Sequence, residues 1–263
     1  HIEGILMGQG VVVEQLHGHR CRELLRRLEQ SHQQGGPQEV VDHAVTDPQL
    51  FEQRQRIDGV IKSYELAYRM QSSVPELLNL SDEPQSMLDL YGVDKPKTND
   101  FGRQCLLARR MAEAGVRYIE VTHSSWDQHN GLRGRLQSNC GATDQPLAAL
   151  LTDLAQRGML EETLVVLATE FGRTPTINQN EGRAHYPKAF SGFLAGGGIK
   201  GGQVYGKTDE GGANVIENKV AIPDFNATIA YGLGLPLGQV VHSPSRRPFT
   251  VADKGLPLTH LFS

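Results

Sequence analysis

Cysteine is scarce. Cys21, Cys105 and Cys140 are the only three in 263 residues, and no two form a CxxC pair. That excludes a disulfide framework and a zinc ribbon. Long apolar runs are missing too, none approaching the ~18–20 residues of a membrane span. Nor is there an excess of positive charge: 26 Lys+Arg face 30 Asp+Glu, a formal net charge of −4. No electrostatic footprint for nucleic acid or an anionic membrane surface follows from that balance. The chain begins at His1 with no Met and reads as the downstream part of a longer protein, beyond any export signal. What remains, 38% hydrophobic and 21% charged residues, is ordinary for one domain or two small ones.

Periodicity divides the chain into a helical first part and an alternating second part. Cys21, Leu24, Leu25 and Leu28 form the stripe of an amphipathic helix. Ile57, Ile61, Tyr64 and Tyr68 form another, inside a long helix expected over residues 48–71. Residues 1–98 are therefore expected to be a mainly helical segment packing on a core, with the stretch before His19 too short to classify. From Asn99 the pattern sharpens. Phe101, Cys105, Ala108 and Ala112 line a helix ended by Gly115, and a β-rich run to Thr122 follows. Leu147, Leu150, Leu151 and Leu154 mark a helix with an N-cap near Thr143. Asp144 and Asp153 flank its start and a solvated face and read as structural. Thr163–Thr169 is an apolar strand of the kind buried on both faces of a parallel sheet. Phe190–Ala195 reads as a further strand and residues 223–234 as the last helix. The alternation predicts an α/β core over residues 99–235, a largely parallel sheet flanked by helices. A proline-rich, irregular tail over 236–263 completes the chain.

Polar residues gather where these strands end, the place where parallel α/β sheets bind ligands. His123-Ser-Ser-Trp-Asp127-Gln-His129 follows one strand, Glu170-Phe-Gly-Arg173 follows the next, and Gly182-Arg183-Ala-His185 precedes the third. Carboxylates and imidazoles suit divalent metals, and guanidinium forks match phosphate or sulfate oxygens. Gly196, Gly198 and Gly201 have the spacing of a dinucleotide fingerprint, but Gln203-Val-Tyr-Gly206 follows instead of a helix. A glycine turn is expected there.

Several further runs occur in a characteristic order: Leu106-Leu-Ala-Arg-Arg110, Trp126-Asp-Gln-His129, Thr163-Leu-Val-Val166, Glu170-Phe-Gly-Arg-Thr-Pro175 and Ala195–Gly202. With them the sequence resembles the domain-of-unknown-function 1501 family, a bacterial, sulfatase-like family of the alkaline phosphatase superfamily. The resemblance implies an alkaline-phosphatase-like α/β core and a divalent metal ion, whether zinc, manganese, calcium or magnesium. By that likeness Asp127 and His129 correspond to ligands of one metal and His185 to its later ligand. Glu170 sits where the superfamily places the Asp of an Asp-His pair serving a second metal. Phe171 follows it in place of the customary His, and Ala184 replaces an expected Asp. No nucleophile is assigned. The implied activity is metal-dependent hydrolysis of a small-molecule phosphate or sulfate ester, by this chain or by the longer protein it belongs to, with Arg173 and Arg183 stabilising the anion. The alternative is a superfamily relative acting as a binding or scaffold domain. A periplasmic or exported setting also follows from the resemblance.

Overall fold

The chain forms two compact units, residues 1–19 with 84–263, and residues 20–83. The computed structural model describes residues 10–15, 61 and 75–263. The helical stripes expected around 21–28 and 48–71 lie outside the described residues, except that Ile61 is helical.

The first unit is built from β1 (Gly10–Gln15), α1 (Gln85–Tyr91), α2 (Asn99–Glu113), β2 (Tyr118–Thr122), α3 (Leu132–Gln156), β3 (Thr163–Ala168), β4 (Gly172–Arg173), β5 (His185–Tyr186), β6 (Phe193–Gly196) and, later, α4 (Ile222–Gly232). No helix among the described residues is long and apolar enough to cross a membrane.

α2 follows its pattern. Phe101, Cys105, Ala108 and Ala112 are all buried, and Gly115 turns the chain with φ +88°, a value that costs glycine little. α3 is capped at Gly131, 12 residues ahead of the N-cap expected near Thr143. Gly134, Gly141 and Pro146 are poor helix formers that make this start illegible, yet packing on α2 carries the helix through them. Asp153 also departs from expectation. It does not face solvent but is 2% exposed. Its carboxylate accepts the Tyr91 hydroxyl at 3.0 Å, pairs with Arg109 Nε at 3.0 Å and accepts Arg157 Nε at 2.7 Å. One carboxylate thus ties α1, α2 and α3 together.

Four strands form the main sheet in the order β2-β1-β3-β6. Every described pairing is antiparallel: β1 with β2, β1 with β3, and β3 with β6. The largely parallel sheet expected from the helix–strand alternation is not what these pairings show. β2 and β3 do run in the same direction, as a strand–helix–strand unit requires. β1, the Val11-Val-Val13 stretch, lies between them and reverses both pairings. On one face of β3, Leu164, Val166 and Ala168 are buried against Leu194, Ile199, Phe225 and Ile229. Val165, on the other face, is 0% exposed. Burying each such side chain contributes about 1.5–3 kcal/mol.

Gly196–Gly202 forms a turn with no helix start, as expected, with positive φ at Gly196, Gly197, Gly198 and Gly202. The last residues close on it. Ile199 bridges Phe262, and Ser263 donates its backbone N–H to the Gly198 carbonyl at 2.9 Å. The tail is therefore partly ordered, with a strand pair of Val240–His242 and Pro248–Thr250.

Register brings the polar clusters to one end of the sheet. Gly10 pairs with both Thr122 and Ala168, while Leu167 pairs with Phe193. The ends of β2 and β3 and the start of β6 thus share one edge, and all three polar clusters emerge there.

Candidate metal centre

The β4–β5 ladder sets the first two residues. Gly172 pairs with Tyr186 and Arg173 with His185, so the sequence after β3 and the sequence before β6 come face to face. The connecting loop is held by Asn178, whose Oδ1 accepts the backbone N–H groups of Asn180 at 2.9 Å and Gly182 at 3.0 Å. This is the side-chain turn chemistry that favours Asn at such positions. The loop docks on the segment after β2. Arg183 N–H donates to the Gln128 carbonyl at 3.1 Å, and Leu132 N–H donates to the Glu181 carbonyl at 2.8 Å. Gly182 makes the approach possible, because a Cβ there would lie 1.9 Å from the His129 carbonyl carbon. On the other side, Asn139 of α3 donates to the Ser125 carbonyl at 2.8 Å, anchoring a turn in which Ser125 has φ +73°.

These contacts bring three side chains to one point. Asp127 Oδ1 lies 2.9 Å from His129 Nε2 and 3.0 Å from His185 Nε2. The two Nε2 atoms are 3.1 Å apart. A proton on either Nε2 hydrogen-bonds that imidazole to the Asp127 carboxylate; with both nitrogens unprotonated, three lone pairs converge on a point that could hold a cation. Atoms with these spacings sit about 1.7 Å from a common centre, so bonds of about 2.0–2.2 Å reach one ion just off their plane and leave its outer side open. The donor set of two imidazoles and one carboxylate fits zinc, manganese or iron chemistry. Side-chain exposures of 59% for Asp127, 45% for His129 and 50% for His185 leave the cluster accessible to solvent.

Arg173 completes the arrangement. Its Nη1 donates to Asp127 Oδ1 at 2.6 Å and its Nη2 to Glu170 Oε1 at 3.2 Å. The His185 hydrogen bond first, and Arg173 next, hold the Asp127 carboxyl down at about 2. Asp127, His129 and His185 are thus brought together as the sequence reading required. Glu170 is linked to them through Arg173 and is not one of the three converging groups. Phe171 packs its ring against His185, centroids 4.5 Å apart.

Arg183 stands elsewhere, in the wall of a cavity of about 470 Å³ at the same sheet edge. Its Nε is buried without a hydrogen-bond partner. Trp126, His123 and Phe101 line this cavity too, with His123 edge-on to both aromatic rings at 5.4 and 5.6 Å. Burial lowers the His123 pKa, against a smaller opposing effect of the Ser124 backbone. Sequence reasoning noted the His123–His129 run but gave its aromatic members no role. The available signal was their position immediately beyond β2.

Over residues 8–262 the chain matches the family described as protein of unknown function (DUF1501), and it belongs to that family. No curated protein and no solved structure matches it.

Proposed function

We propose that this protein is a metal-dependent hydrolase of phosphate or sulfate esters, or the portion of one that carries a metal centre, and that it works in the periplasm or another exported setting. The convergence of Asp127, His129 and His185, with Arg173 on the same carboxylate, carries the reading. A divalent ion held by these three residues would supply Lewis-acid polarisation of the ester oxygen. Arg173 fixes the Asp127 carboxylate and keeps it ionised. Glu170 in turn holds the guanidinium, so that its planar fork is preorganised instead of searching rotamers. Phe171 restrains the His185 ring. Arg183 brings an always-charged donor group to the adjacent cavity, suited to the oxygens of a tetrahedral anion. The placement of this metal site within the alkaline phosphatase superfamily rests on sequence likeness.

A binding or scaffold role is the second reading, and Phe171 favours it. It fills the position where family likeness expects the histidine of a second metal.

The test is metal content after dialysis against chelator-free buffer, read by elemental mass spectrometry. One equivalent of a divalent metal in the protein, with its loss in both His129→Ala and His185→Ala, supports the reading. Wild-type protein that holds no more metal than the variants defeats it. Release of nitrophenol from nitrophenyl phosphate or sulfate by the metal-loaded protein then separates hydrolase from scaffold.

A further inference from the structure

The cavity beside the cluster has a composition that the metal centre alone does not explain. Its volume of about 470 Å³ falls in the range of small-molecule sites, about 300–1,000 Å³. Aromatic walls come from Phe101 in α2, His123 and Trp126 after β2, and Phe171 after β3. Leu136 and Leu147 of α3 close the apolar side. One buried donor in these walls, Arg183 Nε, has no hydrogen-bond partner. That atom is closed to solvent, but Arg183 as a whole is half-buried, so the other N–H donors of its guanidinium are the groups left for an incoming anion. Phe171 and Arg173 belong to both the cavity and the cluster: the first touches His185, and the second holds Asp127. The cavity therefore abuts the Asp127–His129–His185 cluster along a wall that carries Arg173, and its other walls are largely apolar and aromatic, with Arg183, Asp144, Gln128, Thr143 and Thr169 also on them.

Resting on the ester-hydrolase reading above, we infer that this cavity seats the aryl group of an aryl phosphate or aryl sulfate, with its anionic head between Arg183 and Arg173. The edge-on packing of His123 against Phe101 and Trp126 favours an aromatic ring over an alkyl chain, because aromatic pairs add attraction beyond the area they bury. Arg183 in the same walls suits an anion, whereas Arg173 already pairs with Asp127 and Glu170. Neutral phenols and inorganic phosphate each satisfy only half of the site.

Trp126 is the one tryptophan of the sequence, so its emission reports occupancy directly. The experiment titrates the protein with phenyl phosphate, phenyl sulfate, hexyl phosphate and inorganic phosphate, exciting Trp126 selectively. A saturable change is expected with the phenyl esters, at a Kd at least about tenfold below those of hexyl and inorganic phosphate, a difference of ~1.4 kcal/mol. Leu136→Glu, at a position 37% exposed, and Arg183→Gln should each raise the phenyl phosphate Kd about tenfold or more. Their thermal midpoints should stay near that of the wild type. An unsaturable signal, equal affinity for inorganic or hexyl phosphate, or variants that bind as well as the wild type would overturn the inference. The two readings fail separately. Stoichiometric metal with no Trp126 response removes the aryl site and spares the metal centre. A Trp126 response in protein that holds no metal removes the hydrolase reading and leaves an aryl-anion site.

Discussion

Replacing Asp153 by Asn perturbs the joint beneath the site with almost no change of shape. The carboxylate has 3% side-chain exposure, and so does Arg109, its partner at 3.0 Å. Tyr91, itself 0% exposed, donates to it at 3.0 Å, and Arg157 approaches from a more open position, 34% exposed, at 2.7 Å. The amide keeps one acceptor but turns its other end into a donor facing a guanidinium. Arg109 is then left buried beside Glu113, at 2.8 Å. Breaking a buried pair from one side costs about 3–5 kcal/mol, because the surviving charge stays desolvated. At about 2–4 °C per kcal/mol for a domain of this size, the thermal midpoint should fall by about 6–20 °C. Urea unfolding gives the free energy directly. Tyr91→Phe removes one hydrogen bond and leaves both arginines in place, so it should cost less, about 1.5 kcal/mol. A loss below about 1 kcal/mol for Asp153→Asn would refute the reasoning and show that the charge is solvated or replaced at little cost.

Three further outcomes follow from the same geometry. Gly182→Ala forces its Cβ into the His129 backbone at 1.9 Å; metal content should drop sharply and stability by about 1–3 kcal/mol, and full metal retention would show that the loop yields freely. Arg173→Lys keeps the charge and loses the fork that spans Asp127 and Glu170. Ester turnover in the metal-loaded protein should weaken while stability stays within about 0.5 kcal/mol, whereas a large stability loss with unchanged turnover would assign the residue to the scaffold. The third outcome concerns alkaline pH. Burial pushes the Cys105 thiol from 9.0 up to about 12 and raises the Tyr91 hydroxyl too, chiefly by desolvation and then by Asp153. In that window the folded state holds protons that the unfolded state has released. Stability should therefore fall as pH rises above about 9, by up to about 1.4 kcal/mol per pH unit for Cys105. Urea midpoints measured from pH 8 to 11 check this, and Cys105→Ser should flatten part of the slope. A slope identical in the two proteins would show that Cys105 does not contribute.

The elements that could be read from the sequence are those whose burial repeats with a clear period. α2 and β3 announced themselves because Phe101, Cys105, Ala108 and Ala112 recur on one helical face and Leu164–Ala168 is apolar throughout. α3 hid its first half. Leu132 and Leu136 face the cavity and not the main core, so no continuous stripe marks them, and Pro146 suggests a boundary that tertiary packing overrides. Strand direction was legible for β2 and β3 as a pair, but their neighbour was not. Short apolar runs such as Val11–Val13 carry no record of which strands they will pair with, and pairing partners, not alternation, decide whether a sheet is parallel.

The site divides along the same line. Asp127, His129 and His185 were identifiable by residue type and by position beyond strand ends, and the β4–β5 pairing explains how residues 58 apart in sequence meet at 3.0 Å. Glu170 and Arg173 were identifiable as charges three residues apart that either pair or serve a ligand, and which of the two holds depends on loop geometry that local sequence does not carry. Aromatic residues beside such a cluster are harder still, because a Trp or Phe reads as core in any sequence. What separates Trp126 and Phe171 from ordinary core is the company of Arg173 and Arg183 in the same walls. Arg173 is already paired with Asp127 and Glu170, so the half-buried Arg183 is the guanidinium in these walls that an anion would serve. Arg173 lines the cavity while it holds Asp127, and this shared wall is the physical reason for treating the Asp127–His129–His185 cluster and the aromatic cavity as one site.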